Sequence, residues 1–282
     1  MLKEIIEVNG NFSELAKKRF SCRTFDGNGV EEEKLNLVKK QIGKANESSG
    51  NFIAGIVDKH ELKAKRFFTT GTYGMFKGDR FYIVGILNKK SEFDWLKHGF
   101  LMENIIIYLT QMGLNTCWIG GGFDRKGFGS ELGIKEDELV PAIIPFGYCA
   151  SKRTLRDKIV RWSAKGDKRK TFEKLFFIKE NPENLSETKL KEVLENVRIA
   201  PSASNKQPWR FFIYKNRIDL YLKRDKLYSK LVPSADLQMI DMGIVSYHLW
   251  KSFSEIGVSG RWNLLKNKES FSSLQYIVSF IF

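Results

Sequence analysis

The sequence predicts an α+β fold: a mixed central sheet with helices on both faces, built from two intertwined copies of one unit. Three observations carry this. Strand-like runs alternate with long apolar helical runs along 282 residues, the pattern of a sheet covered by helices. One stretch of the chain recurs at a fixed offset. Two motifs of unusual composition, Arg19 to Phe25 and Ala200 to Trp209, lie far apart in the chain.

Each element has a local reason. Apolar residues at three- and four-residue spacing mark helices over Glu31–Ala45, Phe93–Met112, Glu187–Glu195 and Asp236–Ile256. Short runs rich in β-branched and aromatic residues mark strands at Phe52–Val57, Phe81–Leu87 and Ala142–Phe146. Three more follow at Arg210–Tyr214, Asp219–Leu222 and Tyr276–Phe282. Gly113 and Gly257 close the two longest helices, as a left-handed C-terminal cap requires.

The repeat is most visible in those two helices. Gly99, Phe100, Ile105, Leu109, Met112, Gly113, Leu114 and Trp118 are matched, 144 residues on, by Gly243, Ile244, Leu249, Phe253, Ile256, Gly257, Val258 and Trp262. Apolar matches come with any pair of amphipathic helices. Coincident glycines and tryptophan do not. The pattern breaks at Lys179-Glu180-Asn181-Pro182, which divides the chain into halves of 1–180 and 181–282 within one globular unit.

Composition narrows the function. With 42% hydrophobic and 13% aromatic residues the chain is not disordered. No apolar run follows a basic start at the N-terminus, so no signal peptide is expected. The apolar stretch Phe100 to Leu114 is broken by Glu103, Asn104 and Gln111 and is too short to span a membrane. Cys22, Cys117 and Cys149 are widely spaced and form neither a disulfide framework nor a zinc pattern, which points to a reducing cytoplasm. His60, His98 and His248 are too scattered for a metal triad. The net charge is +14, and residues 151–179 hold eleven Lys and Arg against three acids. Without aromatics interleaved on a sheet or basic residues along a reading helix, this is a solvated field that attracts small anions, not a nucleic-acid surface.

The chemistry lies in the motifs. Arg19-Phe20-Ser21-Cys22-Arg23-Thr24-Phe25 places two arginines two residues apart, so an extended backbone points both the same way. In Ala200-Pro201-Ser202-Ala203-Ser204-Asn205-Lys206-Gln207-Pro208-Trp209, prolines fix the backbone and small residues allow close approach to a flat ligand. Trp118-Ile119-Gly120-Gly121-Gly122-Phe123 and Gly147-Tyr148-Cys149-Ala150-Ser151-Lys152-Arg153 follow a helix and a strand. Together these resemble the flavin-contacting elements of the FMN-dependent nitroreductase family, in a duplicated form where one chain supplies both sides of an internal pseudo-dimer.

The resemblance implies an FMN flavoprotein. It would pass hydride from NADH or NADPH to a nitroaromatic, quinone or similar acceptor by a ping-pong route, with no catalytic side chain. Arg19 would take the phosphate, Ser21 the ribityl or pyrimidine region, and Arg23 the pyrimidine edge of the ring. Gly120 and Gly121 would bring backbone near the reactive ring nitrogen. Lys152 and Arg153 would add to the phosphate clamp. Phe20, Pro201, Ser202, Ala203 and Asn205 would complete the pocket. The halves are not equivalent. The second has Asn184-Leu185-Ser186-Glu187-Thr188 where the arginines would fall, and the first has Lys44 to Asn51 where the Pro-Ser turn would fall. One competent site per chain is expected, working as a monomer. A catalytically decayed flavin- or ligand-binding protein is the alternative.

Overall fold

The computed structural model describes residues 2–49, 52–61, 76–88, 91–152, 154, 168–183, 185–227 and 232–282. The first half opens with α1 (Phe12–Lys18), where the Asn11 side chain accepts the Glu14 N–H at 2.9 Å and Lys17 and Lys18 close the last turn. Next come α2 (Glu32–Ser49), β1 (Phe52–Asp58), β2 (Phe81–Asn88) and the long helix α3 (Glu92–Gln111). β3 (Asn115–Thr116), α4 (Arg125–Ser130), β4 (Glu138–Leu139) and β5 (Ile143–Gly147) follow. Beyond these lie α5 (Phe172–Leu175), β6 (Phe176–Ile178), α6 (Glu187–Arg198), β7 (Trp209–Tyr214) and β8 (Arg217–Leu222). The chain finishes with α7 (Leu237–Glu255), β9 (Arg261–Asn263) and β10 (Gln275–Ile281).

All ten elements expected from the sequence are present, with ends moved by a few residues. The short pieces α1, α4, α5, β3, β4, β6 and β9 were not anticipated, because so few residues hold too little periodicity to read.

The expected central sheet is divided in two, one sheet per half. The first runs β1-β2-β5-β3, with β4 beside β2, and the second runs β6-β7-β8-β10-β9. Apart from β4 and β6 the two orders are the same: an antiparallel pair, a long helix, an edge strand, then a strand inserted between edge and pair. β6 departs from this pattern. It comes from the segment before the second half, yet it pairs parallel with β7 and so ties the halves together.

The offset seen in the sequence becomes contact geometry where α3 and α7 pack along each other. A methyl group placed on Gly243 would lie 2.0 Å from Leu96 O, and one on Gly99 would lie 2.2 Å from Ile240 O. Leu96 and Ile240 are themselves 144 apart, so the two contacts exchange under a local twofold. Buried polar pairs do the same. Glu103 Oε1 lies 3.1 Å from His248 Nε2, and Asn104 Nδ2 donates to the Tyr247 hydroxyl at 3.2 Å. Such reciprocal contacts are the mark of a twofold interface, here inside one chain. Both helices also stop alike, with Gly113 at φ 79° and Gly257 at φ 77°.

One expectation is corrected. Cys22 and Cys149 form a disulfide, with Cα atoms 6.2 Å apart across a sequence separation of 127. Spacing along the chain cannot show this. The antiparallel bridge between Phe25 and Cys149 brings the two segments side by side. Among the described residues no helix is long and apolar enough to cross a membrane.

Candidate active site

The segment after α1 is extended and stitched to the first sheet. Cys22 N–H donates to Thr116 O at 2.9 Å, Phe25 N–H to Lys77 O at 2.8 Å, and Ala150 N–H to Thr24 O at 2.9 Å. Alternation then does what a strand dictates. Cys22 and Thr24 are buried while Ser21 and Arg23 face the other way. α1 itself packs on α6 and α7 of the second half. Phe12 meets Tyr247 and His248 edge-on, and Ser13 Oγ accepts from Asn196 Nδ2 at 2.7 Å. This docking carries Arg19 across to the second motif.

That motif is a tight turn in an unfavourable backbone state. Ser204, Asn205 and Gln207 have φ of 48°, 54° and 47°, a region that costs a non-glycine residue about 1–3 kcal/mol. A polar network holds it. Ser202 Oγ accepts the Gln207 N–H at 2.9 Å, and Asp241 Oδ1 accepts the Ala203 N–H at 2.9 Å. Gln207 Oε1 accepts the Lys170 N–H at 2.8 Å, and Arg169 Nη1 donates to Asn205 Oδ1 at 3.0 Å. Strain held this firmly is typical of a binding site.

Lys170 also donates from Nζ to Lys206 O and Gln207 O, at 2.6 and 3.0 Å. Burial, with Arg210, Lys223, Lys206 and Lys174 nearby, brings it down from 10.5 to about 8. Between those values the unfolded chain binds more protons than the folded one, so this group's contribution to stability rises with pH. Melting curves at pH 7.5 and 10 should show a rise in wild type that shrinks in Lys170→Met.

Both motifs open onto one cavity of about 750 Å³. Arg19, Phe20, Ser21 and Arg23 line it from the first half, together with Gly120 and Gly121. Pro201, Ser202, Ala203 and Asn205 line it from the second. Lys152 is exposed and is not among the lining residues, and Arg153 lies outside the described residues. The side chains of Ser202 and Asn205 are engaged in building the turn. Gly120 packs against the second half, where a methyl group would lie 2.6 Å from Leu237.

The sequence reading missed Lys17, Arg169, Arg198 and Asp241, which also line the cavity. Arg169 belongs to the basic run 151–179, and its bonds to Asn205 Oδ1 and Ile199 O separate it from solvated lysines. Aromatic wall comes from Phe20, Phe76 and Trp118. Trp118 is held by its Nε1, which donates to Glu103 Oε2 at 2.7 Å. Residues 71–78 and 223–234 lie partly outside the described residues; of them Phe76 and Val232 reach the cavity.

Among the described residues, five cationic side chains, Lys17, Arg19, Arg23, Arg169 and Arg198, thus line the cavity against one acid, Asp241. Burial pushes the Asp241 carboxyl well above the usual carboxylate range. The wall suits an anion with a flat apolar part.

Residues 11–252 match the family model described as "Putative TM nitroreductase". The chain belongs to this nitroreductase family. A solved structure from Thermotoga maritima, given the same nitroreductase description, is 19% identical with a TM-score of 0.59, covering 98% of this chain and 95% of that one. At this identity the likeness is one of fold. An FMN-dependent nitroreductase from Clostridium difficile is 23% identical with a TM-score of 0.39, covering 50% of this chain and 88% of its own. A nitroreductase with bound FMN from Bacteroides fragilis is 16% identical with a TM-score of 0.40, covering 52% and 92%. No curated protein matches the chain.

Proposed function

We propose that this nitroreductase holds FMN in the cavity between its halves and uses NADH or NADPH to reduce a nitroaromatic, quinone or similar acceptor. The observation that carries the reading is the meeting of both motifs on one cationic cavity. Arg19, Ser21 and Arg23 would grip the anionic and polar parts of the cofactor, since guanidinium forks suit phosphate. The turn Pro201–Asn205 would offer a preformed surface to the ring. Held by these residues, FMN would supply two-electron transfer between the nicotinamide and a second substrate. Phe20, Phe76 and Trp118 keep that space apolar and suited to flat reactants. Purified protein should be yellow, and NADH or NADPH should bleach it under anaerobic stopped-flow conditions. A colourless protein that takes up no added FMN would refute the reading.

The same reading makes the chain a duplicated unit, divided near residue 180, that acts as its own dimer. Flavin should therefore stay bound at dilutions where sedimentation shows monomer only. Release on dissociation would place part of the site on another chain.

One FMN per chain is expected, because the residues at the counterpart positions have structural work. The Asn46 amide bonds both Ala54 N–H and Ala54 O at the edge of β1, at 2.9 and 2.8 Å. Ser186 caps α6 by accepting the Lys189 N–H. Trp262, the counterpart of Trp118, is buried against Phe280, with ring centres 5.0 Å apart. Flavin released from protein saturated with FMN should approach one equivalent, and two equivalents would sink the division of labour.

A further inference from the structure

Asp241 is unlike the rest of the cavity wall. It shares a face of α7 with Leu237, Ile240 and Ile244, all of which line the cavity and are apolar. It is 2% exposed. Its Oδ1 accepts the Ala203 N–H, but its Oδ2 is buried with no hydrogen-bond partner. An orphaned buried polar atom is destabilising, and each one in a native protein calls for a reason. The five cations of the wall do not supply the partner, since none bonds this oxygen. Burial, with Asp236 adding to it, pushes the carboxyl well above the usual carboxylate range. An unpaired oxygen buried beside Leu237, Ile240 and Ile244 favours the neutral acid over a buried charge, and the neutral acid has a hydrogen to donate.

We propose that Asp241 is a ligand-binding residue, whose open carboxyl oxygen donates a hydrogen bond to an uncharged acceptor of the cavity's ligand. On the FMN reading, on which this inference rests, the acceptor is a ring carbonyl or a ribityl hydroxyl. The fold leaves this carboxyl oxygen without a partner, and a bound cofactor would supply one. A neutral donor among cations also adds no charge to oppose them.

The test compares Asp241→Leu and Asp241→Asn by flavin fluorescence titration and by melting of the apoprotein. Leucine removes the orphaned group at similar volume, and the half-buried Ala203 N–H can turn to water. Apo Asp241→Leu should melt at or above wild type, while its Kd for FMN rises tenfold or more. Asp241→Asn keeps an acceptor for Ala203 and a donor for the ligand, and should bind within threefold of wild type. Titration with lumiflavin, which lacks the ribityl chain, locates the contact. A tenfold loss there assigns it to the ring, and a loss with riboflavin but not lumiflavin assigns it to the ribityl hydroxyls. Unchanged FMN affinity in Asp241→Leu overturns the proposal and leaves the FMN reading standing. A joint fall in melting temperature and affinity also overturns it, by showing that Asp241 only holds the turn. Wild type that binds no FMN overturns both.

Discussion

Gly243→Ala should cost this protein more than about 3 kcal/mol and leave little folded material, although it adds a single methyl group. The new Cβ would meet Leu96 O at 2.0 Å, Phe100 N at 2.7 Å and Gly99 Cα at 2.9 Å. All three are backbone atoms, so no side-chain rotation relieves the contact. The central helices must part, and the packing along their whole length is lost with them. Overpacking in a core usually costs about 1–3 kcal/mol when neighbours can shift; here they cannot, and whole domains are stable by only about 5–15 kcal/mol. Gly99→Ala meets Ile240 O in the same way and should fail similarly. Gly43→Ala is the control. It lies within α2 with nothing within 4 Å of the added carbon, and should raise stability by about 0.5–1 kcal/mol. Urea denaturation of the three variants checks the contrast. A Gly243→Ala protein as stable as wild type would refute the close crossing of the helices.

Arg19→Ala should weaken FMN binding by about 1.5–3 kcal/mol, the range for a hydrogen bond to a charged group, or roughly 10- to 150-fold in Kd. Arg19 is the C-cap of α1 and is nine-tenths buried, so its guanidinium is held in place at the cavity before any ligand arrives. Riboflavin, which lacks the phosphate, should lose much less. Equal FMN affinity in wild type and Arg19→Ala would remove the phosphate from this residue. Arg23→Ala should act on a different observable and make the bound flavin harder to reduce, because a positive charge beside the ring favours its reduced, anionic form.

The regular elements, the repeat and the two motifs are legible along the chain. Each is written in residues that sit close together: glycine caps at Gly113 and Gly257, alternation through Ser21 to Thr24, small residues between Pro201 and Pro208. Local rules of period, capping and turn chemistry suffice for these, and the helix and strand positions follow within a few residues. The 144-residue offset even carried the crossing glycines, since a close helix contact leaves no room for a side chain on either helix.

The rest depends on residues distant in the chain that meet only when it folds. Arg169 became part of the cavity because Asn205 holds it, and nothing about the basic run around it marks that one arginine. Asp241 lies within an apolar helix whose period says only that the position is buried, not that Ala203 takes one oxygen and leaves the other open. Cys22 and Cys149 met because the segment carrying Arg23 runs beside the exit of β5. The left-handed backbone at Ser204, Asn205 and Gln207 is likewise imposed from outside the turn, by Arg169, Lys170 and Asp241, because those residues left to themselves favour other conformations.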